Sequence, residues 1–314
     1  MQKDQVNKRS SCKVAIFKLD TDDFEKYYNQ RLIEHGCTIF PLSELYCQNL
    51  SRLKIKRLMS LDLKEFDIIV VFDTPKVIPF IRMKMDANAK LILWNWNKQS
   101  SMTAWKEKLV SPFCEIWTFD SNDAKKNNWK LNNQFYIPVT YTDDNSTPHR
   151  TRAFCACLDK GRYPAMKEIR KKLIENNAEC DFTLVKDGSS NYASQDSVWI
   201  KENGMSYDVF LQHTLNSDVV IDLVQPGQSG LTVRTLEALF YNKKLITNNK
   251  SIQNYAFYSE SNVLIVDGKN EEKITRFLKA SMEDVDWKNK TPYTYEGWIQ
   301  NFCSNDSVKE EVDK

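Results

Sequence analysis

Glycine is scarce in this chain: there are eight in 314 residues, and two of them, Gly227 and Gly230, fall in one short stretch. A chain with so few flexible positions keeps them where the backbone has to turn or to approach something closely. Histidine is scarcer still, at three, and no CxxC pair occurs among the eight cysteines. A Cys/His metal site therefore lacks its ligands, and the scattered cysteines read as buried, reduced thiols. No apolar run approaches ~18 residues, and the first residues, MQKDQVNKRSS, have no apolar core, which argues against a spanning helix and a signal peptide. An excess of one charge sign is also missing: 44 basic and 42 acidic residues leave a net charge of +2. That is too little for a nonspecific nucleic-acid binder. The expectation is a soluble, cytoplasmic protein with no nucleic-acid partner and no metal or other cofactor, able to touch the inner face of a membrane peripherally.

What the sequence does contain is an alternation. Short apolar runs of strand type (13–19, 37–42, 66–72, 90–96, 114–119 and 135–140) are separated by amphipathic runs of helix type (22–35, 43–60, 76–87, 101–110 and 121–130). Ser43 and Ser121 stand where helix N-caps belong. The pattern then repeats, with strands at 152–158, 180–185, 218–224, 244–249 and 262–267. The second set of helices falls at 164–176, 205–216, 230–242 and 270–282, with a helical tail after 292. Strand–helix alternation implies parallel sheets covered on both faces, and 314 residues exceed what one core usually serves. The polar stretch YTDDNSTPHRT (141–151) is the natural seam. The fold class expected is α/β, two doubly wound Rossmann-like domains facing across a cleft. Their spans are 1–145 and 146–290, followed by a helical tail at 291–314.

Open parallel sheets bind ligands beyond the carboxyl ends of their strands. That rule selects the loops at 20–24, 73–76 and 95–101 in the first half, and those at 159–164, 186–195 and 222–232 in the second. The last of these opens DLVQPGQSGLTVRTLEALF (222–240). Pro226 and Gly227 break a strand, and Gly230 admits a close approach. Thr232, Arg234 and Glu237 then fall in the first turns of a helix, whose start is a ready anion site. Arg234 and Glu237, at i and i+3, share a face. In DKGR, Lys160 and Arg162 flank Gly161 straight after a strand, a pair of cations suited to a diphosphate.

With these residues in place, the region 152–267 resembles the donor half of bacterial glycosyltransferases of the GT-B type. The resemblance rests on DKGR, DLVQPGQSGLTVRTLEALFYNKKLITNN and NVLIVD. More narrowly, the chain is similar to proteins of lipopolysaccharide and surface-polysaccharide biosynthesis. The aromatic–Glu helix YTYEGWIQNF near the end also looks like the one with which such chains close. The resemblance implies a nucleotide-sugar donor and a glycan or lipid-linked acceptor. It assigns Glu237 to the ribose hydroxyls, and Gln225, Gln228, Ser229, Gly230 and Thr232 to the sugar and diphosphate. Lys160, Arg162 and Arg234 would offset the charge of the leaving diphosphate without a metal. Two positions depart from the pattern: Asn242 stands where a glycine usually follows the helix, and CACL stands before DKGR where relatives tend to carry glycine.

Carboxylates at the strand ends of the first half, Asp20, Asp22 and Asp73 with Asp23 beside them, are the candidates for a catalytic base. His35, His149 and His213 read as structural. The run NLSRLKIKRLMSLDLKEF (49–66), with Arg52, Lys54, Lys56 and Arg57 beside Leu50, Leu53 and Leu58, could rest on anionic headgroups or be an ordinary surface helix. Trp94 and Trp96 could stack on sugar rings or be core. Two other functions fit the same fold. One is a nucleotide-sugar epimerase, whose Ser-Gly-Gly loop is interrupted here by Leu231; the other is a non-catalytic nucleotide-binding scaffold.

Overall fold

The computed structural model describes residues 12–45, 52–97, 109–141, 150–225, 227–268, 270 and 272–304. The chain divides into two compact units. Unit 1 runs to Thr118 and takes in Asn128–Lys130; unit 2 holds Phe119–Asn127 and everything from Leu131. The sequence seam at 141–151 lies beyond this division, since 119–127 and 131–141 belong with unit 2.

Unit 1 is built on a sheet of order β2-β1-β3-β4-β5-β6. Its strands are β1 (Val14–Lys18), β2 (Thr38–Pro41), β3 (Ile68–Phe72), β4 (Lys90–Asn95), β5 (Glu115–Thr118) and β6 (Lys130–Leu131). The pairings from β2 through β5 are parallel. Every residue of β1 and of β3 is buried, as expected of parallel strands covered on both faces. The helices are α1 (Asp23–Glu34), α2 (Leu42–Leu45), α3 (Arg52–Ser60) and α4 (Ile78–Arg82). Leu58 of α3 joins Phe17, Leu42, Val71 and Ile81 in the core. Leu58 thus turns to the core while Lys56 and Arg57 are exposed; the side chains of Arg52, Leu53 and Lys54 lie outside the described residues, as does most of the helix expected at 101–110.

Unit 2 carries the second sheet, order β12-β11-β10-β7-β8-β9. Its strands are β7 (Arg152–Leu158), β8 (Glu179–Val185), β9 (Ile200–Lys201), β10 (Val219–Asp222), β11 (Lys244–Thr247) and β12 (Val263–Ile265). All pairings are parallel. The helices are α5 (Ser121–Asn127), α6 (Tyr163–Glu175), α7 (Tyr207–Leu215), α8 (Val233–Phe240), α9 (Lys273–Lys279), α10 (Trp287–Lys290) and α11 (Tyr295–Ser304).

Residues 135–140 are not the expected strand. Pro138 lacks a ladder donor, and the segment is held against the C-terminal helix instead. Phe135 stacks on Trp298 at 4.3 Å, the Tyr136 amide donates to the Tyr293 carbonyl at 2.9 Å, and Asn132 donates to the Trp298 carbonyl at 3.0 Å. The expected N-caps also shift. Asp120, not Ser121, accepts the amides of Asn122 and Asp123 at the start of α5, and Ser43 lies inside α2, donating to Asp20.

Each sheet has one point where the chain reverses its direction of growth. In unit 1 it lies between β1 and β3, because β2 is added on one side and β4 onward on the other. In unit 2 it lies between β7 and β10 for the same reason. Doubly wound sheets leave a crevice at the carboxyl ends of such a pair.

Backbone strain marks the same two places. Five non-glycine residues have positive φ among the described residues: Asp73, Asn128, Lys160, Asn177 and Asn242. The three asparagines follow α5, α6 and α8, where a left-handed residue closes a helix. Asn242, at φ +51°, thus does what a glycine usually does there. The other two, Asp73 (φ +48°) and Lys160 (φ +43°), stand directly after β3 and shortly after β7.

Candidate functional site

At the carboxyl end of β10, Asp222 is buried. Its Oδ2 accepts the hydroxyls of Thr232 and Thr235 (2.9 Å for the latter), while its Oδ1 is buried with no hydrogen-bond partner. Thr232 is the N-cap of α8, accepting the Thr235 amide at 3.1 Å. The helix then presents Arg234 and Glu237 one turn apart. The Arg234 guanidinium lies 5.3 Å over the Phe210 ring, and its Nε is buried without a hydrogen-bond partner. Burial works against its charge, but Asp222 and the neighbouring thiols and Glu237 hold its pKa above the ordinary arginine value. Glu237 has no exposed surface. Its Oε1 accepts the Tyr207 hydroxyl at 2.5 Å, and its Oε2 has no partner. Burial pushes its pKa from the ordinary 4.5 to about 7, against the pull of the Tyr207 bond and Arg234.

The DKGR turn after β7 converges on the same place. Lys160 and Gly161 occupy successive left-handed conformations, which folds the turn back so that Arg162 opens α6. Arg162 Nη1 donates to the Leu158 carbonyl at 2.9 Å, and its Nε is buried without a partner. Lys160 is exposed, with its amide held by Asp187 at 2.7 Å. Cys157, near the end of β7, registers both arginines. The hydrogen bond from Cys155 lowers its pKa to about 7, with Arg234 and Arg162 adding to the effect, while the same bond, and then burial, raise the Cys155 thiol. Arg162, Arg234, Asp222 and Glu237 are therefore brought together, with Lys160 at the rim.

The glycine loop itself is organised from inside unit 2. The amides of Ser229 and Gly230 donate to Asp120 Oδ2 at 2.7 and 3.1 Å, and the Ser229 hydroxyl shares a hydrogen bond with Ser121 at 3.0 Å. A Cβ on Gly230 would come within 2.4 Å of the Phe119 ring and 2.6 Å of its carbonyl oxygen. The close approach that Gly230 permits is thus to Phe119. Asn249 closes the loop from the other side, donating to the carbonyls of Ser229 and Gly230 at 3.3 and 3.2 Å. Gln225 and Gln228 are half-buried, linked by one backbone bond at 3.1 Å; Pro226 lies outside the described residues. Asp120 and Tyr207 escaped the sequence reading. Asp120 reaches the loop across a separation of 109 residues, and the only local sign was an acid just before a helix.

In unit 1 the carboxylates separate by role. Asp22 is exposed and caps α1, accepting the Glu25 amide at 2.8 Å, and Asp23 is the first residue of that helix. Asp20 accepts the Ser43 hydroxyl. Asp73 differs from both. It accepts the Trp96 amide at 2.9 Å and the Asn97 side chain at 2.8 Å, yet burial pushes its pKa to about 6 despite those bonds and Lys18. Lys18 ends β1 with only 3% of its surface exposed. Among the described residues it makes no hydrogen bond or ion pair, with the Trp96 ring centre 6.0 Å away. Burial lowers its pKa to about 8, and Glu25, Asp22, Asp73 and Asp20 limit the drop. The sequence held one sign of it, a lysine closing the apolar run KVAIFKL. Trp94 is core, whereas Trp96 is half-buried against Tyr28 and Phe72.

The histidines described are structural. His35 closes α1 with Nδ1 3.0 Å from the Arg31 carbonyl oxygen, and His213 stacks on Phe154 and pairs with Asp181; His149 lies outside the described residues. No three metal-ligating side chains converge among the described residues, and none of their helices is long and apolar enough to cross a membrane.

No family model and no curated protein matches the sequence. Solved structures do resemble the fold. A glycosyltransferase involved in avilamycin A biosynthesis is 11% identical, with 94% of this chain and 96% of that one covered and a TM-score of 0.51. An α-glucosyltransferase solved with UDP and a 13-mer DNA containing a central A:G mismatch is 11% identical, with 93% and 99% covered and a TM-score of 0.56. Another structure of an α-glucosyltransferase with UDP, on a DNA containing an HMU base, is 10% identical, with 93% and 98% covered and a TM-score of 0.54. These neighbours are GT-B glycosyltransferases, and the two six-stranded parallel sheets here match their two Rossmann-like domains.

Proposed function

We propose that this chain is a glycosyltransferase that binds a nucleotide-sugar donor at the carboxyl ends of β7 and β10. The observation that carries the reading is the cluster of buried polar atoms without partners at one switch point: Asp222 Oδ1, Arg234 Nε, Glu237 Oε2 and Arg162 Nε. Buried polar atoms without partners are costly, on the order of 1–3 kcal/mol each, and a ligand carrying both oxyanions and hydroxyls would satisfy donors and acceptors alike. Arg234 and Arg162 suit the diphosphate and Lys160 adds charge at the rim, so the leaving group is offset by fixed cations. Glu237 Oε2 is the acceptor left for a ribose hydroxyl. Because Glu237 is fully buried, the hydroxyl reaches it only after the side chains over it shift, Tyr207 first among them. Gln225, Gln228 and Thr232 complete the wall; the backbone amides of Ser229 and Gly230 are already engaged by Asp120.

In unit 1, Asp73 is the base assigned to the acceptor hydroxyl. A glycan or lipid-linked acceptor in surface-polysaccharide synthesis follows from the sequence resemblance at 152–267. The test is a thermal-shift screen with nucleoside mono- and diphosphates and their sugars. A ligand at a hundred times its dissociation constant stabilises by about 2.7 kcal/mol. The stabilisation should appear in the wild type and vanish in Arg234→Met; silence toward every nucleotide would overturn the donor-site reading.

A further inference from the structure

Helix α6 carries Lys167, Arg170, Lys171 and Ile174 at i, i+3, i+4 and i+7, one stripe on its outer face. Its inner face, Met166, Ile169 and Leu173, is buried in the unit 2 core. The stripe lines a groove of about 260 Å³ closed by Trp199, Asp196 and Glu175. The two acids there are already engaged. Glu175 is bonded by Lys172 at 2.8 Å. Asp196 is bonded by Lys167 at 3.1 Å, by the Tyr163 hydroxyl at 2.6 Å and by Trp199 Nε1 at 3.3 Å. The remaining acid of the helix, Glu168, is exposed.

Arg170 and Lys171 are left over. The Arg170 guanidinium lies 5.9 Å over the Trp199 ring, which is itself buried, and its Nε is buried without a hydrogen-bond partner. Lys171 is exposed and makes no ion pair among the described residues. A guanidinium held beside a buried ring loses less freedom on binding an oxyanion than a fully solvated one. Ile174, 48% exposed, lines the groove beside these cations, and Val198, the residue before Trp199 in sequence, is 75% exposed; a free anion would leave both in water.

We propose that this groove seats unit 2 on an anionic lipid surface. A headgroup phosphate sits against Arg170 and Lys171, and Ile174 and Val198 enter the headgroup layer. Cations and apolar side chains on one face suit that boundary, where each desolvates what the other leaves charged or wet. The proposal is independent of the donor site and puts membrane contact on α6 rather than on α3.

Flotation of the full chain with phosphatidylcholine vesicles, with and without phosphatidylglycerol, tests it. Binding is expected only with phosphatidylglycerol, falling as salt is raised. The Arg170→Gln/Lys171→Gln variant should partition roughly thirtyfold more weakly. The charge-matched Lys26→Gln/Lys64→Gln variant should bind like the wild type, and Ile174→Ser/Val198→Ser should weaken binding at every salt concentration. If the double variant does not fold, Lys171→Gln alone should still lower binding measurably. Equal binding by wild type and the Lys171→Gln or double variant, or none to either vesicle, overturns the proposal. So does saturable binding of inorganic phosphate, lost in Arg170→Gln/Lys171→Gln, by a protein that ignores vesicles; that result assigns the groove to a free phosphate.

Discussion

At the switch point of unit 1 one lysine stands among four carboxylates, Asp20, Asp22, Glu25 and Asp73; at that of unit 2, Arg162, Arg234 and the rim Lys160 stand beside Asp222 and a Glu237 held near neutrality. The backbone plan is the same in both, with a parallel sheet, a reversal between two neighbouring strands, and one strained non-asparagine residue at each reversal. Only the side chains differ. On the proposed reading each sheet supplies its own crevice and charge decides what suits it: the unit 2 crevice offsets a diphosphate, and the unit 1 crevice suits a neutral hydroxyl. Each edge also pushes one carboxylate upward by burial, Asp73 to about 6 and Glu237 to about 7. In our reading one of these moves a proton and the other accepts a hydroxyl.

The sharpest separation of the two edges comes from Asp73→Asn. Asparagine keeps the shape and tolerates the left-handed backbone, so nucleotide stabilisation should persist while turnover falls about 10²–10⁴-fold, the range for loss of a general base. Steady-state transfer assays alongside melting curves check this. In the wild type, kcat/KM should rise with pH through about 6 as Asp73 ionises.

Glu237→Gln gives the next largest effect, on stability without ligand. The folded pKa of Glu237 lies above the unfolded one, so its stabilisation is complete below about 4.5 and is lost as pH climbs through about 7. The full loss is on the order of 3 kcal/mol. Glutamine cannot lose it, so chemical denaturation should show the variant gaining on the wild type between pH 5 and 8. A gap that stays constant with pH would remove the buried-acid account.

Gly230→Ala should cost about 2 kcal/mol through the collision with Phe119, measurable as a lower denaturation midpoint. If it instead abolished nucleotide affinity with stability unchanged, the glycine would serve the ligand and not the packing. The smallest effect belongs to Lys18→Met. Lys18 pulls the Asp73 pKa down, so removing its charge should move the acid limb of the pH–rate profile to higher pH, with nucleotide binding untouched.

Much of this arrangement was legible in the sequence because it is local. The alternation of apolar and amphipathic runs predicts both sheets. DKGR and DLVQPGQSGLTVRTLEALF predict the turn and the helix start, and Asn242 predicts the left-handed helix end. What was not legible depends on contacts between distant segments. Asp120 takes the amides of Ser229 and Gly230, and nothing within either segment announces the other. The run FYIPVT has strand composition, but the stacking of Phe135 on Trp298 overrides it. Tyr207 caps Glu237 across a separation of 30 residues, and Lys18 is identified by making no hydrogen bond or ion pair among the described residues, which no spacing rule reveals. The carboxylates were recognised as a group, but their division into cap (Asp22), hydroxyl acceptor (Asp20) and half-buried acid (Asp73) required coordinates.

The central claim is that unit 2 alone recognises the diphosphate. Calorimetric titration of wild type, Arg234→Met and Asp73→Asn with the nucleoside diphosphate giving the largest thermal shift tests it most directly. The account predicts equal affinity for wild type and Asp73→Asn, and a loss of about a hundredfold or more for Arg234→Met, as expected for removing a buried charged partner. Equal affinity in all three proteins, or a loss confined to Asp73→Asn, would contradict it.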